Sequence, residues 1–587
     1  EGSEILELDP GPNDFEIEVI AENGLRASYY LTVYRDEGTA LSPHRITTAE
    51  QLSKIGDPAE GYGLDQVYRL DADLDLSSFG AGEGWEPIGS ASEPFAGTFD
   101  GNGHVLLNLE ANRPASDDVG LFGYASGATV KNVVLEGAKL TGKRNVGALI
   151  GHAVDSDVSS VSAKGAVSGT EAVGGLVGLL EGSGTVKKSF SAASVEGSVS
   201  AGGLVGSGPD GTVSDSFWDT ETSGQDASAG GGLGKSTAEM MAKTTYTGAG
   251  WSFGSGSWGL IEGTTYPMPM AVLSGVLINS LTITAPGTTV TLNSFNSSYG
   301  HIEATVAKPV ASATVSATSA NAGATVTYNG DSAGNVALSL GENKVDIRIV
   351  SPGGFGQAVY RLAIIVPTPR PASVQAPPNG TYLLGDTLDF TVIYDHPVEV
   401  EGTPILPLFI GIGTKMAKFI GQPSGEREKL NFRYTVQPGD LDANGIGLDA
   451  DIELGEDGSI TALGKAVLLS LPAPPTLTNV LVNGLAPIIA LTPSPISPTP
   501  GAVTVTVAAT VSDKVPSNDL AVLKWAKGSH TVADFADSAF GTDIMATSTF
   551  QATENGIYTV YAADSTGNKK TETIEIANIV TGAPSIA

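Results

Sequence analysis

Short runs that alternate apolar and polar residues occur along most of the chain, and few stretches show a helical period. Alternation of this kind is typical of β-strands that bury one face. Val503-Thr-Val-Thr-Val507 and Leu430-Asn-Phe-Arg-Tyr-Thr-Val436 are two examples. The pattern therefore predicts an all-β protein.

Between residues 119 and 206 the pattern becomes periodic. Glycines enclosing Leu, Val or Ile form four similar phrases at an almost constant interval, which end at Gly123, Gly151, Gly178 and Gly206. A fixed interval of this length indicates stacked repeats, and the β-branched runs between the phrases indicate a β-solenoid. We expect Gly175 and Gly203 to lie where stacked turns coincide, because glycine tolerates positive φ and close backbone approach.

Residues 1–37 resemble a later part of the same chain. Apolar positions at equal spacing match pairwise, namely Phe15, Ile17, Val19, Tyr29, Leu31 and Val33 with Val345, Ile347, Ile349, Tyr360, Leu362 and Ile364. Each segment is predicted to be an antiparallel strand pair. The later copy has further strands before it, from about Leu277, so residues 1–37 are interpreted as the C-terminal half of a β-sandwich. Because an isolated hairpin is marginally stable, we expect this one to pack against the start of the solenoid, with edge-to-edge pairing to a second molecule as the alternative.

Residues 44–271 carry further motifs around the glycine phrases. Thr47-Thr-Ala-Glu50 and Ser236-Thr-Ala-Glu239 are capping boxes that predict short helices. Trp85, Trp218, Trp251 and Trp258 are expected to cover the ends of the solenoid, with sugar stacking as the alternative. In this combination the segment resembles the GLUG-repeat regions of bacterial adhesins and S-layer-associated proteins. The resemblance implies a parallel β-helix with capped ends, displayed outside the cell and without enzymatic activity.

The remaining chain is divided by two proline-rich links, Pro367-Thr-Pro-Arg-Pro371 and Pro493-Ser-Pro-Ile-Ser-Pro-Thr-Pro500. The segment before the first link resembles the cadherin-like β-sandwich modules of bacterial surface proteins. The final module resembles the immunoglobulin-like domains of Gram-positive S-layer and adhesin proteins. The predicted modules are a half cadherin-like sandwich at 1–37, a β-helix at 44–271, a cadherin-like sandwich at 272–367, Ig-like sandwiches at 372–484 and 485–579, and a linker at 580–587.

Composition narrows the possible partners. The chain has 587 residues, a formal net charge of −33 and no cysteine. Such a charge argues against nucleic acid or an anionic membrane surface as a partner, and it permits divalent cations. Without cysteine there is no disulfide framework and no thiol nucleophile. No apolar run reaches about 18 residues, so no membrane insertion is predicted.

One acidic loop has the spacing of a calcium site. Asp440, Asp442 and Asn444 occupy alternate positions before Gly445, and Asp451 stands at the twelfth position. Oxygen donors at alternate positions and a glycine for the sharp turn suit Ca²⁺. The alternative is an acidic turn that binds no metal. These four residues are the predicted metal ligands, and Ca²⁺ is the predicted cofactor.

Catalysis on a β-helix would need carboxylates that converge on one groove. Asp117 and Asp118 precede their glycine phrase, whereas Asp155 and Asp157 follow theirs, so we expect them on different edges. The six histidines are scattered, and no triad or zinc site can be assembled from them. We predict no catalytic residues.

These observations predict a non-enzymatic extracellular protein of the bacterial cell surface, an S-layer or adhesin fragment that serves as a modular scaffold. Its expected partner is a cell-wall, host or environmental glycan, or a neighbouring surface protein. Two alternatives remain open. One is a carbohydrate-binding accessory region of a large secreted glycoside hydrolase. The other is a β-helix enzyme that degrades polysaccharide.

Overall fold

A computed structural model describes residues 7–512 and 518–580. The fold is all-β, which confirms the predicted class, and it divides into two compact units. The first comprises the described residues up to Thr305, Ser312–Ala337 and Asn343–Ile365, and the second holds the rest. Residues 1–6 of the predicted half sandwich and 581–587 of the predicted linker lie outside the described residues. The module boundaries stay predictions, because the compact units follow a different division.

Parallel strands stacked in successive coils form the solenoid of the first unit. Its first face contains His44–Ile46, Val67–Leu70, Thr98–Asp100, Thr129–Lys131, Asp157–Ser159, Thr185–Lys187 and the start of Val213–Asp219. Its second face contains Leu74–Asp75, Val105–Leu107, Glu110–Asn112, Val134–Thr141, Ser162–Gly169, Phe190–Gly197, the end of Val213–Asp219 and Gly231–Lys235. The third contains Arg144–Gly147, Glu171–Gly174 and Ala201–Gly202, and the fourth Phe122–Ser126, Ile150–Val154, Val177–Glu181 and Val205–Ser207.

The coils repeat in register, so equivalent side chains lie above one another. Val130 pairs with Val158 of the next coil, and Val158 pairs in turn with Val186 of the coil after that. All three valines are fully buried. Burial of apolar area drives the stacking, since a single coil cannot cover its own interior.

Short helices flank the solenoid, at Ala49–Ser53, Thr220–Ser223, Thr237–Met240, Lys243–Thr247 and Met270–Ser274, with 3₁₀ turns at Pro58–Glu60 and Ser77–Phe79 and a strand pair Trp258–Gly259 and Met268–Pro269. Ser236 and Glu239 form the predicted capping box. The first capping box lies one residue later than predicted. Thr48, not Thr47, caps the helix, and the Gln51 side chain accepts the backbone N–H of Thr48. Leu52 of this helix is buried in the solenoid core.

The strands of residues 278–366 form two sheets. One consists of Ile278–Thr284, Ser312–Ser319 and Asn335–Ala337. The other runs Val290–Ser294, His301–Val306, Gln357–Val366, Gly341–Val350 and Thr325–Tyr328, with a 3₁₀ turn at Pro352–Gly354. Residues of the strand pair Gly341–Val350 and Gln357–Val366 alternate between buried and accessible, as expected for one face of a sandwich.

The first two strands, Gly11–Ile20 and Arg26–Arg35, form an antiparallel hairpin. The prediction that this hairpin packs against the solenoid is wrong, because Ile17, Tyr29 and Leu31 are 47%, 61% and 49% exposed. None of the hairpin's residues belongs to the buried solenoid core, which begins with Ile46 and Leu52. The hairpin contacts the solenoid at its base, where the Arg45 guanidinium lies 3.6 Å from the centre of the Tyr34 ring.

The second unit contains two groups of sheets. Residues 371–483 form three sheets. The largest contains Pro371–Gln375, Thr387–Tyr394, Lys429–Thr435, Gly413–Gly421, Ile405–Ile410 and Gly447–Leu448. The second contains Gly380–Leu383, Val480–Asn483 and Leu441–Asp442, and the third contains Glu399–Glu401, Ser459–Ala462 and Lys465–Ala466. Residues 488–576 form a sheet of Ile488–Ser494, Val503–Thr510 and Thr549–Ala552, and a sheet of Thr542–Asp543, Leu520–Lys527, Gly556–Asp564 and Lys569–Ile576, with a 3₁₀ helix at Val532–Ala536.

A buried carboxylate shapes the turn after strand Gly556–Asp564. Asp564 is 3% exposed, and its Oδ1 accepts the backbone N–H groups of Thr566, Gly567 and Asn568 at 3.1, 2.8 and 2.9 Å. Its Oδ2 accepts from Asn518 Nδ2 at 3.1 Å. Because these bonds satisfy the buried charge, the turn is held in one conformation.

This turn also joins the two groups of sheets within the second unit. Leu384 donates its backbone N–H to Asn568 Oδ1 at 3.1 Å, and Asn483 Nδ2 donates to Thr566 Oγ1 at 2.9 Å. We call residues 564–568 the joint turn. Its contacts with Leu384 and Asn483 restrain the last sandwich against the one before it.

Candidate functional site

The glycine phrases form the narrow edge of the solenoid, where the third and fourth faces meet. A Cβ on Gly147 would lie 2.6 Å from the Gly178 nitrogen, and one on Gly206 would lie 2.5 Å from the Val173 nitrogen. Real Cβ atoms do not approach backbone so closely, so neighbouring coils can meet here only through glycine. This edge offers no side chains for chemistry.

Gly175 and Gly203 also lie at close approaches between coils. A Cβ on Gly175 would come within 2.4 Å of the Gly203 carbonyl oxygen. A Cβ on Gly203 would come within 2.0 Å of Trp218 Cδ1. Neither glycine has a positive φ, so close packing rather than backbone conformation requires glycine at these positions.

At the corner between the first and second faces the backbone adopts the left-handed conformation in each coil. Asn132, Ser160, Lys188 and Asp215 have φ values of 55°, 55°, 46° and 50°. Asn132 also donates its Nδ2 to Asp100 Oδ1 of the preceding coil at 2.9 Å. Asparagine and aspartate tolerate this conformation best, but only Asn132 and Asp215 of the four positions are of these types, so the corner is not evident from sequence.

Serines buried at the corners have both hydrogen-bonding roles occupied. Ser156, Ser189 and Ser216 each accept a backbone N–H of the preceding coil at 3.1 Å. Each hydroxyl also donates to the carbonyl two residues before it. These serines therefore fix the stacking and are not available as nucleophiles.

The acidic side chains of the coils are bound by neighbouring coils. Asp155 Oδ1 accepts from the backbone N–H and the hydroxyl of Ser183 at 2.8 and 2.9 Å, and these bonds lower the pKa of Asp155. Asp157 accepts from the Thr185 hydroxyl. Asp118 accepts from Asn145 Nδ2 at 2.7 Å. These bonds hold adjacent coils together, which is a structural role.

A histidine that the sequence analysis set aside takes part in one such row. His152 Nε2 lies 2.9 Å from Glu181 Oε2, and His152 Nδ1 lies 3.7 Å from Asp118 Oδ1. The ring also meets Tyr124 edge-on, with 4.5 Å between centroids. Glu181 follows His152 by about one coil length, so the repeat interval of the sequence is the signal that places the two side chains side by side.

A groove of about 420 Å³ lies beside this row, near the first coils. Its lining includes the polar residues Ser90, Glu93, Arg113 and Asp117. Arg144 donates to Asp117 Oδ2 at 2.6 Å and holds the pKa of this carboxyl below its ordinary value. In the described part of the chain, Asp117 Oδ1 is a buried oxygen without a hydrogen-bond partner. The groove is thus lined by a charged carboxyl that Arg144 binds through Oδ2, together with further polar side chains.

The tryptophans are mostly buried. Trp85 is in the solenoid core and donates to the Leu121 carbonyl at 3.0 Å. Trp251 donates to the Asp215 carbonyl at 2.8 Å and packs with Phe217 and Tyr246 under the short helices. Such burial excludes sugar stacking on Trp85 and Trp251.

The four residues of the predicted calcium loop have protein partners. Asp440 is buried, where Lys415 Nζ lies 2.8 Å from Oδ1 and Tyr434 Oη donates to Oδ2 at 2.5 Å. Burial alone would raise the pKa of Asp440, but these bonds hold it below its ordinary value.

Asp442 accepts the backbone N–H groups of Gly411 and Asn444 at 2.8 and 3.2 Å. Asp451 accepts from the Ser470 hydroxyl at 2.6 Å. Within residues 7–512 and 518–580, no three His, Cys, Asp or Glu side chains are grouped so as to hold a metal ion. Calcium binding by the loop stays a prediction.

Comparison with known proteins assigns one of the sandwiches. Residues 278–367 match the family model of the cadherin-like β-sandwich domain. This match agrees with the two sheets described for that segment. None of the helices in the described residues is both long and apolar enough to cross a membrane.

Two relatives share parts of the chain. Halomucin of Haloquadratum walsbyi is 36% identical over 159 residues, which are 26% of this chain and 2% of halomucin. A putative Gly-rich membrane protein of Evansella cellulosilytica is 35% identical over 123 residues, 20% of this chain and 14% of the relative. The chain therefore spans only a small part of either relative.

Solved structures with similar β-domains align weakly. The I67–I69 fragment of titin aligns with a TM-score of 0.17 and 10% identity, over 45% of this chain and 89% of the fragment. Domains 4–9 of surface layer protein SbsC align with a TM-score of 0.14 and 13% identity, over 51% of this chain and 47% of that one. At TM-scores this low, neither alignment supports an inference about this chain.

Proposed function

We propose that this chain is a non-enzymatic scaffold segment of an extracellular surface protein. The observation that carries the proposal is the regular stacking of the coils, in which many side chains that could do chemistry instead bind the neighbouring coil. Asp155, Asp157 and the buried serines are examples. A protein that acts by shape and stiffness needs such bonds, whereas an active site needs carboxylates that converge on a substrate.

Ion pairs between coils support the same role. Lys164 Nζ lies 2.7 Å from Glu136 Oε1, and Arg144 lies 2.6 Å from Asp117, in each case about one coil apart. In the second unit the joint turn restrains the two sandwiches. Each of these contacts resists shearing of one repeat or module over the next.

The match of one segment to a cadherin-like domain and the relatives named halomucin and Gly-rich membrane protein support a location at the cell surface. The net charge of −33 keeps such a surface soluble and disfavours nucleic acid. A bacterial S-layer or adhesin of Gram-positive type, with GLUG-type coils, is the specific form that we propose.

A glycan is the partner that we propose, and the groove beside Asp117 is its binding site. Sugars present many hydroxyl donors, and the Asp117 carboxyl on the groove wall is a charged acceptor of the kind that binds them. Arg113, Ser90 and Glu93 supply further polar groups on the groove walls.

The test combines a glycan array with a reducing-sugar assay on the full chain. We expect binding to a hydroxyl-rich glycan without release of reducing ends. Asp117→Ala should weaken binding about tenfold, since it removes one charged hydrogen bond. Asp155→Ala is the matched control, because this carboxylate lies at another corner and should leave binding unchanged. Sustained release of reducing ends would refute the non-enzymatic role, and equal effects of the two variants would refute the groove.

A further inference from the structure

The hairpin of residues 11–35 leaves an apolar face uncovered. Phe15, Ile17 and Val19 lie opposite Leu31, Tyr29 and Ala27 on the same face. The other face carries charged and polar pairs, in which Arg26 pairs with Glu18 at 2.8 Å and Thr32 donates to Asp14 at 2.6 Å, beside the exposed Ile20, Tyr30 and Tyr34. A sheet with one apolar and one polar face normally buries the apolar one.

The second half of the cadherin-like sandwich, residues 341–366, is a structural twin of this hairpin. Asn13 Nδ2 donates to the Val33 carbonyl at 3.3 Å, and Asn343 Nδ2 donates to the Ile364 carbonyl at 3.2 Å. Arg26 donates to Glu18 across the hairpin at 2.8 Å. At the equivalent positions of the twin, Arg348 donates to Gln357 at 2.7 Å. The correspondence therefore extends to individual hydrogen bonds on both sides of the sheet.

The twin differs from the hairpin in being covered. Its six face residues, the counterparts of the hairpin's apolar face, are fully buried: Val345, Ile347, Ile349, Tyr360, Leu362 and Ile364. Strand His301–Val306 adds to one edge in parallel, and Thr325–Tyr328 adds to the other. Tyr360 Oη accepts the Ile278 N–H at 3.3 Å and donates to the Ser297 carbonyl at 3.0 Å.

In the hairpin, the Tyr29 ring that corresponds to Tyr360 is 61% exposed. Within the described residues the hairpin is a two-stranded sheet, so neither outer edge is paired with a further strand. The missing contacts are those that residues 278–337 make in the twin.

We propose that the apolar face of residues 11–35 is the docking surface for the first half of another cadherin-like sandwich, a segment with the strand pattern of 278–337 joined ahead of the hairpin. The order is argued from the twin, in which the covering segment precedes the strand pair in the chain. One strand of this segment pairs in parallel with Tyr30–Tyr34, a second pairs with Ile17–Ile20, and a facing sheet covers Phe15, Tyr29 and Leu31.

The experiment places a second copy of residues 276–340 directly ahead of Gly11 in the full chain. A matched fusion also carries Phe15→Val, Val19→Ile and Val33→Ile, which give the hairpin the face of its twin. Amide hydrogen exchange of residues 15–19 and 29–33 is compared between the fusions and the original chain. We expect exchange to slow on the order of a hundredfold or more, because edge and face become buried.

Ile17→Asp in the matched fusion is the control. It should restore fast exchange in residues 15–19 and 29–33 while residues 345–349 and 360–364 keep their protection. The proposal is overturned if neither fusion slows exchange. It is also overturned if amide exchange of residues 15–19 and 29–33 in the original chain slows with rising protein concentration while the apparent molecular mass increases. The face would then be a surface for self-association.

Discussion

The close approach of Gly203 to Trp218 provides a sharp test of the solenoid. In Gly203→Ala the new methyl group would lie 2.0 Å from Cδ1 and 2.3 Å from Cγ of the indole. Trp218 is 5% exposed and donates its Nε1 to the Gln225 carbonyl at 2.9 Å. The indole can make room only by leaving its packed position and this bond.

The cost follows from these two losses. Overpacking a close-packed core costs about 1–3 kcal/mol, and the hydrogen bond contributes about 0.5–1.5 kcal/mol. We therefore expect Gly203→Ala to lower the free energy of opening of the last coils by about 2–4 kcal/mol. Hydrogen exchange of amides 201–218 in the full chain should become roughly 30- to 900-fold faster.

A double-mutant cycle identifies the cause. In the Trp218→Ala background the methyl group has no indole to meet, so Gly203→Ala should cost less than about 0.5 kcal/mol. Gly413→Ala is the matched control, because its Cβ would meet no atom closer than 3.9 Å and its φ is not positive. An equal cost of Gly203→Ala with and without the indole would refute the packing argument and favour backbone strain.

Three further predictions concern the second unit. Lys415→Met should destabilise residues 371–483 by about 1–3 kcal/mol at pH 7. Lys415 and Tyr434 lower the pKa of Asp440 in the folded protein, so that loss should begin to shrink as the pH of a denaturant titration falls through the ordinary aspartate value of about 4, and it should vanish only below the lowered pKa of the folded state. Asp564→Ala should speed amide exchange of the joint turn and of Leu384 together, and a change confined to the turn would show that the joint is not coupled. If the predicted loop binds Ca²⁺, a chelator should lower the unfolding midpoint of residues 372–484 and Asp442→Ala should remove that response, whereas an unchanged midpoint would contradict the site.

The period of the solenoid could be predicted from sequence because its cause is local and repeated. Glycine is required where the coils approach most closely, as at Gly151, Gly178 and Gly206, so the phrases recur once per coil and indicate a stacked fold. The reason for Gly203 could not be predicted, because Trp218 lies on a different face of the next coil. The left-handed corner was also missed, since Ser160 and Lys188 give no sign of positive φ when taken alone.

The hairpin shows the opposite limit of sequence reasoning. Its pairing and its resemblance to residues 341–366 could be predicted from alternation, but its surroundings could not. Packing against the solenoid is the expectation on energetic grounds, yet the apolar face of the hairpin stays exposed. The calcium-type spacing around Asp440 likewise did not disclose the buried contacts with Lys415 and Tyr434, which come from distant strands.

The constant register of the coils has a consequence for how such a protein changes over generations. Val130, Val158 and Val186 occupy equivalent positions in successive coils. Duplication or loss of one coil therefore leaves each neighbouring coil packed against a surface of the same kind. Each such event would alter the length of the solenoid by about 4.8 Å, the spacing of paired strands. The distance that it spans can therefore evolve in small equal steps, through recombination within the gene, while the structures at either end are kept.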